Sequence, residues 1–119
     1  MHEKSKIADR SFDFSVRIIE LCRFIDKLSG IDRVLAKQLL RSGTSIGANV
    51  AEAQAAQSKA DFIAKMSIAS KESRETLYWL RLIQSSELTE AGKLTPIIQE
   101  TTELVAIITS IVKTATHNK

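Results

Sequence analysis

Arg41, Ser45, Asn49 and Glu52 recur every three or four residues in the stretch Arg41-Ser42-Gly43-Thr44-Ser45-Ile46-Gly47-Ala48-Asn49-Val50-Ala51-Glu52-Ala53. At 100° per residue these four positions fall within about 80° of one another on a helix. A guanidinium, a hydroxyl, a carboxamide and a carboxylate on one stripe have three uses. They can tie helices together as an internal network in which Arg41 pairs with Glu52. They can contact phosphate or base edges, although one Arg beside an acid makes a poor anion site. They can also be a plain solvated face. Ser and Asn are mediocre helix formers, so propensity does not explain their presence.

Catalytic and metal chemistry find little else to stand on. His2 and His117 lie at the two ends of the chain, where no rigid shell would hold a general base or a ligand. Cys22 is alone, which excludes a disulfide framework and a cysteine metal site. Among apolar neighbours it reads as a small core filler, with a reactive thiol as the alternative. The Glu-x-x-His spacing of a di-metal bundle is missing. Glu72 and Glu75 stand with Lys71 and Arg74 as on a solvated charged face. The expectation is a protein that is no enzyme and uses no cofactor or metal.

Gly43 and Gly47 are four residues apart inside the same helical stretch. Each costs roughly 1 kcal/mol against Ala in a helix interior. Close approach of a neighbouring helix would offset that cost, since a missing Cβ lets two backbones come together. No strand precedes these glycines, so they resemble neither a phosphate loop nor a dinucleotide fingerprint.

The elements that hold these residues follow from hydrophobic spacing and capping. Residues 1–9 read as a frayed lead-in. Helix 1 is expected from Ser11 to Leu28, with Phe14, Ile18, Leu21, Cys22, Ile25 and Leu28 on its apolar stripe. Ser29-Gly30 stops it, Gly30 being suited to a left-handed conformation. Asp32 is the expected N-cap of a second helix from Arg33 to Gln57. Its inward residues are Leu35, Leu39, Ile46, Val50 and Ala53, flanked by Ala36, Leu40, Gly43 and Gly47. Ser58 and Asp61 form a variant of the capping box for helix 3. That helix runs to Gln84 with Phe62, Ile63, Met66, Ser70, Ser73, Leu77 and Leu80 facing inward. Ser85 to Thr95 is the main connection, with a helical turn over Glu90 to Leu94. Thr95-Pro96 starts helix 4, because proline suits the first helical position. Its stripe is Ile97, Thr101, Leu104, Val105, Ile108, Ile111, Val112 and Ala115, and residues 117–119 fray. Residues 1–119 therefore form one domain, an all-α antiparallel up-down-up-down four-helix bundle.

Helix 3 has more apolar surface than one core needs. Ile68, Trp79 and Leu82 lie roughly opposite its inward stripe, with Tyr78 between the faces. Exposed apolar clusters containing Trp and Tyr mark interfaces, which makes the chain a homo-oligomer. The alternative is that Trp79 is buried at a flank of its own bundle.

The chain of 119 residues is 44% hydrophobic and 26% charged, with a net charge of +3. That mild excess does not by itself indicate nucleic acid. Its distribution is more informative, since Arg33, Lys37, Arg41 and Lys59 face only Asp32 and Glu52 over residues 31–60. A symmetric oligomer would repeat Arg33, Lys37 and Lys59 around its axis and turn a weak patch into a strong one. No apolar run approaches the roughly 18–20 residues of a membrane span. The charged start shows no signal-peptide pattern, and a cytoplasmic protein is expected.

Arg41 to Glu52 resembles the R-x-x-x-S-I-x-x-N-I-A-E signature of a bacterial four-helix-bundle family encoded in 23S rRNA intervening sequences. Phe62, Ile68-Ala69-Ser70-Lys71-Glu72-Ser73 and Glu75-Thr76-Leu77-Tyr78-Trp79-Leu80 are similar to that family's helix-3 pattern. The likeness covers helices 2 and 3, and extends to helices 1 and 4 by pattern only. Where the family has Gly after the signature Glu, this chain has Ala53. The resemblance implies a homopentamer of bundles around a central channel. A similar fold serves as the accessory variability protein of diversity-generating retroelements, which implies RNA, DNA or a reverse-transcriptase-like protein as a partner. The alternative is a protein-interaction scaffold with no nucleic-acid role.

Overall fold

Phe14, Ile18, Cys22 and Ile25 are spaced three and four residues apart and all are buried, which sets one face of the first helix against the rest of the chain. The computed structural model describes residues 5–26, 30–86 and 91–118. Four helices make up nearly all of it: α1 (Ser5–Asp26), α2 (Ile31–Gln54), α3 (Lys59–Ser85) and α4 (Ala91–His117). The 27 residues of α3 make a rod of about 40 Å, whereas the link from Ala55 to Ser58 reaches about 14 Å at most. A helix packed on its predecessor after such a link must reverse direction. α1 packs on α2, α2 on α3 and α3 on α4, so the chain is an antiparallel bundle. α1 and α4 meet only slightly, and the bundle is open along that seam.

The core takes one stripe from each helix. Leu39, Ile46 and Val50 of α2 meet Met66, Leu80 and Ile83 of α3 and Leu94, Leu104 and Ile108 of α4, all at 0% exposure. Ser11, Ser73 and Thr101 are equally buried. Their hydroxyls donate to carbonyls of their own helices, at 3.1 Å to Ala8, 2.7 Å to Ser70 and 2.6 Å to Ile97. That leaves no buried hydroxyl proton unpaired at those positions.

Helix boundaries depart from the sequence expectation in four places. α1 begins at Ser5, not Ser11. Ile7 and Ala8 continue the apolar stripe, and Arg10 is fastened to α4 by Glu100 and Glu103. The other expected end, Leu28, lies outside the described residues. α2 begins at Ile31 behind Gly30, which was expected to end helix 1 in a left-handed conformation; its φ of 69° is positive, but with ψ at −129° it lies outside the left-handed helical region and stands as the N-cap of α2. Asp32 is therefore a first-turn acid, placed well for the helix dipole, and not the cap.

α2 ends at Gln54, three residues early. The Ser58 cap is the reason: its hydroxyl accepts from the Asp61 N–H at 3.0 Å with Ser58 extended at φ −155° and ψ 166°. The chain must leave the helix before that residue. α4 begins at Ala91, so Pro96 lies inside it. Leu94 is fully buried, and anchoring it in the core offsets the single backbone bond that Pro96 cannot make one turn in. The helix runs through His117, which is exposed.

α3 is also rotated about its axis relative to expectation. Ala69, Glu72, Thr76 and Ile83 join Met66, Ser70, Ser73 and Leu80 in the interior, while Phe62, Ile63 and Leu77 are half-buried. α3 packs on both α2 and α4, so its buried arc is wider than one stripe.

Candidate functional site

Two threonine and serine hydroxyls set the α2–α3 contact. Thr76 lies 3.0 Å from Ser42 across the helix pair and 2.7 Å from the Glu72 carbonyl, and both side chains are fully buried. This rotation brings Glu72 and Glu75 beneath Arg41. The Arg41 Nη2 donates to Glu75 Oε2 at 2.6 Å, and its Nη1 stands 3.7 Å from Glu72 Oε1. The Trp79 indole N–H donates to the same Glu75 oxygen at 3.1 Å. Glu72 is 8% exposed, and its Oε1 is buried with no hydrogen-bond partner. Glu72 and Glu75 are thus no solvated face, contrary to the expectation from their charged neighbours.

The polar stripe of α2 continues outward from this cluster. Ser45 donates to the Arg41 carbonyl at 2.7 Å, and the Asn49 amide donates to the Ser45 carbonyl at 2.9 Å. Glu52 is exposed and takes no part. The expected Arg41–Glu52 pair cannot form, because eleven residues of helix separate them by about 16 Å. The stripe ties α2 to α3 through Arg41 alone, and Ser45 and Asn49 lie partly open to solvent.

Gly43 and Gly47 lie against α1 of the same chain. A Cβ on Gly43 would stand 2.9 Å from both Ile18 γ carbons, and one on Gly47 would stand 3.0 Å from the Ser11 carbonyl oxygen. Close helix approach at both positions is therefore within the bundle.

Of the apolar cluster on α3, Ile68, Tyr78 and Leu82 are 42%, 59% and 38% exposed. Trp79 is half-buried against the core, with its ring edge-on to Tyr78 at 5.2 Å. Apolar residues outside α3 are exposed as well: Phe12 at 68%, Val16 at 42% and Phe24 at 43% on α1, and Ile31 at 76%, Val34 at 59% and Leu40 at 39% on α2. Phe12 and Val16 are one turn apart and off the Phe14–Ile18 stripe, a signal masked by the stronger stripe beside it. Leu40 was expected to flank the α2 core and instead faces out. α1 and α3 make no contact, so they occupy diagonal corners of the bundle and their outer faces point to opposite sides.

The basic residues are not gathered by the single chain. Arg33, Lys37 and Lys59 are all exposed. Arg33 and Lys37 stand in the first half of α2 and Lys59 just past its end, about 25–30 Å away along the bundle. Among the described residues no group of His, Cys, Asp or Glu is placed to hold a metal ion, and no helix is long and apolar enough to cross a membrane.

Fold and surface together define a small antiparallel helical bundle with a polar latch between α2 and α3 and apolar residues left outside its core. The chain matches the 23S rRNA-intervening sequence protein family over residues 3–110, and it belongs to that family. It is also similar to a crystal structure of a protein of unknown function from the S23 ribosomal protein family of Bacteroides thetaiotaomicron VPI-5482. The two share 44% sequence identity at a TM-score of 0.83, over 90% of this chain and 98% of the other. No curated protein matches the chain.

Proposed function

We propose that this chain is a non-enzymatic, cytoplasmic subunit of a closed homo-oligomeric ring, with five copies as the expected number. Its work is to hold nucleic acid or a ribonucleoprotein, including a reverse-transcriptase-like protein, on basic segments repeated by the ring. The carrying observation is the pair of apolar patches on the diagonal helices α1 and α3, Phe12 and Val16 on one and Ile68, Tyr78 and Leu82 on the other. A two-fold dimer uses one patch twice, whereas two different patches on opposite sides suit head-to-tail contacts that close into a ring. Trp79 supports the α3 face from behind, through Tyr78.

Repetition around a ring would bring Arg33, Lys37 and Lys59 of several chains into two basic belts, one at each end of the bundles. The wide separation of those belts also favours a second reading, a scaffold that binds protein alone. Sedimentation equilibrium tests the ring: the wild type should exceed a dimer in mass, and Phe12→Glu and Leu82→Glu should each reduce it. A monomeric wild type at micromolar concentration would end this reading.

A further inference from the structure

We propose, building on the ring reading, that α1 of one copy docks on α3 of the next through matched charges. Asp13 and Glu20 on the first face meet Lys71, Arg74 and Arg81 on the second. On α1, Asp9, Asp13 and Glu20 are exposed and fall within about 60° of Val16 around the helix. On α3, Lys71, Arg74 and Arg81 are exposed and fall within about 60° of Tyr78. None of these six joins an ion pair among the described residues. Arg74 donates only to the Ser70 hydroxyl, at 2.7 Å. Other charges near the two faces are taken or turned aside. Glu75 is held by Arg41 and Trp79, Arg17 leans toward Lys93 of α4, and Arg23 leans toward Lys37 of α2.

The heights of these residues match as well. α1 and α3 run parallel, because each is antiparallel to α2. Gly47 of α2 sits against Ser11 and Ser15, hence level with Asp13. Gly47 is also five residues past Ser42, which pairs with Thr76, and so stands level with Lys71. Seven residues further on, Glu20 is level with Tyr78. In a ring whose axis runs along the bundles, neighbouring copies sit at equal height. Asp13 then meets Lys71, and Glu20 lies between Arg74 and Arg81, each within about 6 Å along the axis. Phe12 and Val16 fall between the levels of Ile68 and Tyr78 and close the apolar centre of the contact. Symmetric pairing is opposed by the same charges. Two α1 faces would set acid against acid, and two α3 faces cation against cation.

Analytical ultracentrifugation of the intact protein with charge reversals on each face tests the pairing. Asp13→Lys with Glu20→Lys should weaken assembly at least about tenfold. Lys71→Glu with Arg74→Glu and Arg81→Glu should do the same. A chain carrying all five reversals should assemble again with itself, yet stay apart from the wild type when the two are mixed in native mass spectrometry. Circular dichroism establishes that each variant is folded. If a reversed chain fails to fold, the milder pair Asp13→Asn with Glu20→Gln should still weaken assembly, by a smaller factor. An assembled wild type whose mass is indifferent to the α1 substitutions overturns the charge pairing and leaves the ring standing. So does a chain with all five reversals that stays dissociated or mixes freely with the wild type. A wild type that is itself monomeric or dimeric overturns both.

Discussion

Single atoms set the most local constraints. A Cβ on Gly47 meets the backbone of Ser11, which cannot rotate away, so Gly47→Leu should overpack the α1–α2 contact. The expected loss is about 3 kcal/mol in urea unfolding, at the upper end for an overfilled core. An unchanged midpoint would remove the close-packing explanation. Arg41 is a second such point, because it is the cation nearest the orphaned Glu72 oxygen. Arg41→Gln should cost about 1–3 kcal/mol by leaving that carboxylate buried without a charge partner. Glu72→Gln in the same chain should recover part of the loss, and a double-mutant cycle measures the coupling. Strict additivity would show that Glu72 and Arg41 are independent.

Between elements, Arg10 fastens α1 to α4 through Glu100 and Glu103, and Lys93 of α4 stands 5.1 Å over the Phe24 ring of α1. Hydrogen bonding from Arg10, and then from Gln99, holds the Glu103 carboxyl below its ordinary value of 4.5. Hydrogen bonds to Glu100, and then to Glu103, raise the Arg10 guanidinium above its already high range, so it stays charged throughout. A depressed carboxyl stabilises the fold above its unfolded pKa and loses that contribution as pH falls through the folded one. Wild type should therefore melt above Arg10→Gln at neutral pH, and the gap should narrow below about pH 4. Thermal melts from pH 7 to pH 3 test this, and a gap constant across the range would refute it. Glu103 is fully exposed, so the effect should also shrink with salt.

For the whole molecule, two predictions follow from assembly. Phe12→Glu and Leu82→Glu each spoil one face and leave the other intact. Mixing the two variants should yield a dimer, made by the sound α3 face of the first and the sound α1 face of the second. Native mass spectrometry would detect it, and a mixture that stays monomeric would contradict head-to-tail contacts. Nucleic-acid binding through basic belts must weaken as salt rises, with a log-log slope near −0.7 to −0.9 per neutralised phosphate. Replacing Arg33 and Lys37 together by Gln should lower both the affinity and that slope in fluorescence anisotropy. No binding by the intact oligomer at low salt would favour the scaffold reading.

Helix number, the Ser58 cap and the positive φ at Gly30 were legible in the chain because each is local. Hydrophobic spacing reports the buried side of a helix, and Ser, Asp and Gly mark its ends within a turn. The same spacing cannot report how far a helix is rotated by two neighbours at once. That is why Glu72 and Thr76 turned inward on α3 and Leu40 turned out on α2. Nor can it say which side chains span the gap between helices. Arg41 and Glu52 share a stripe in the sequence, yet a guanidinium reaches across to Glu75 on the adjacent helix and not three turns along its own. The opening between α1 and α4 has the same origin, since only the packed bundle shows which pair of helices fails to close.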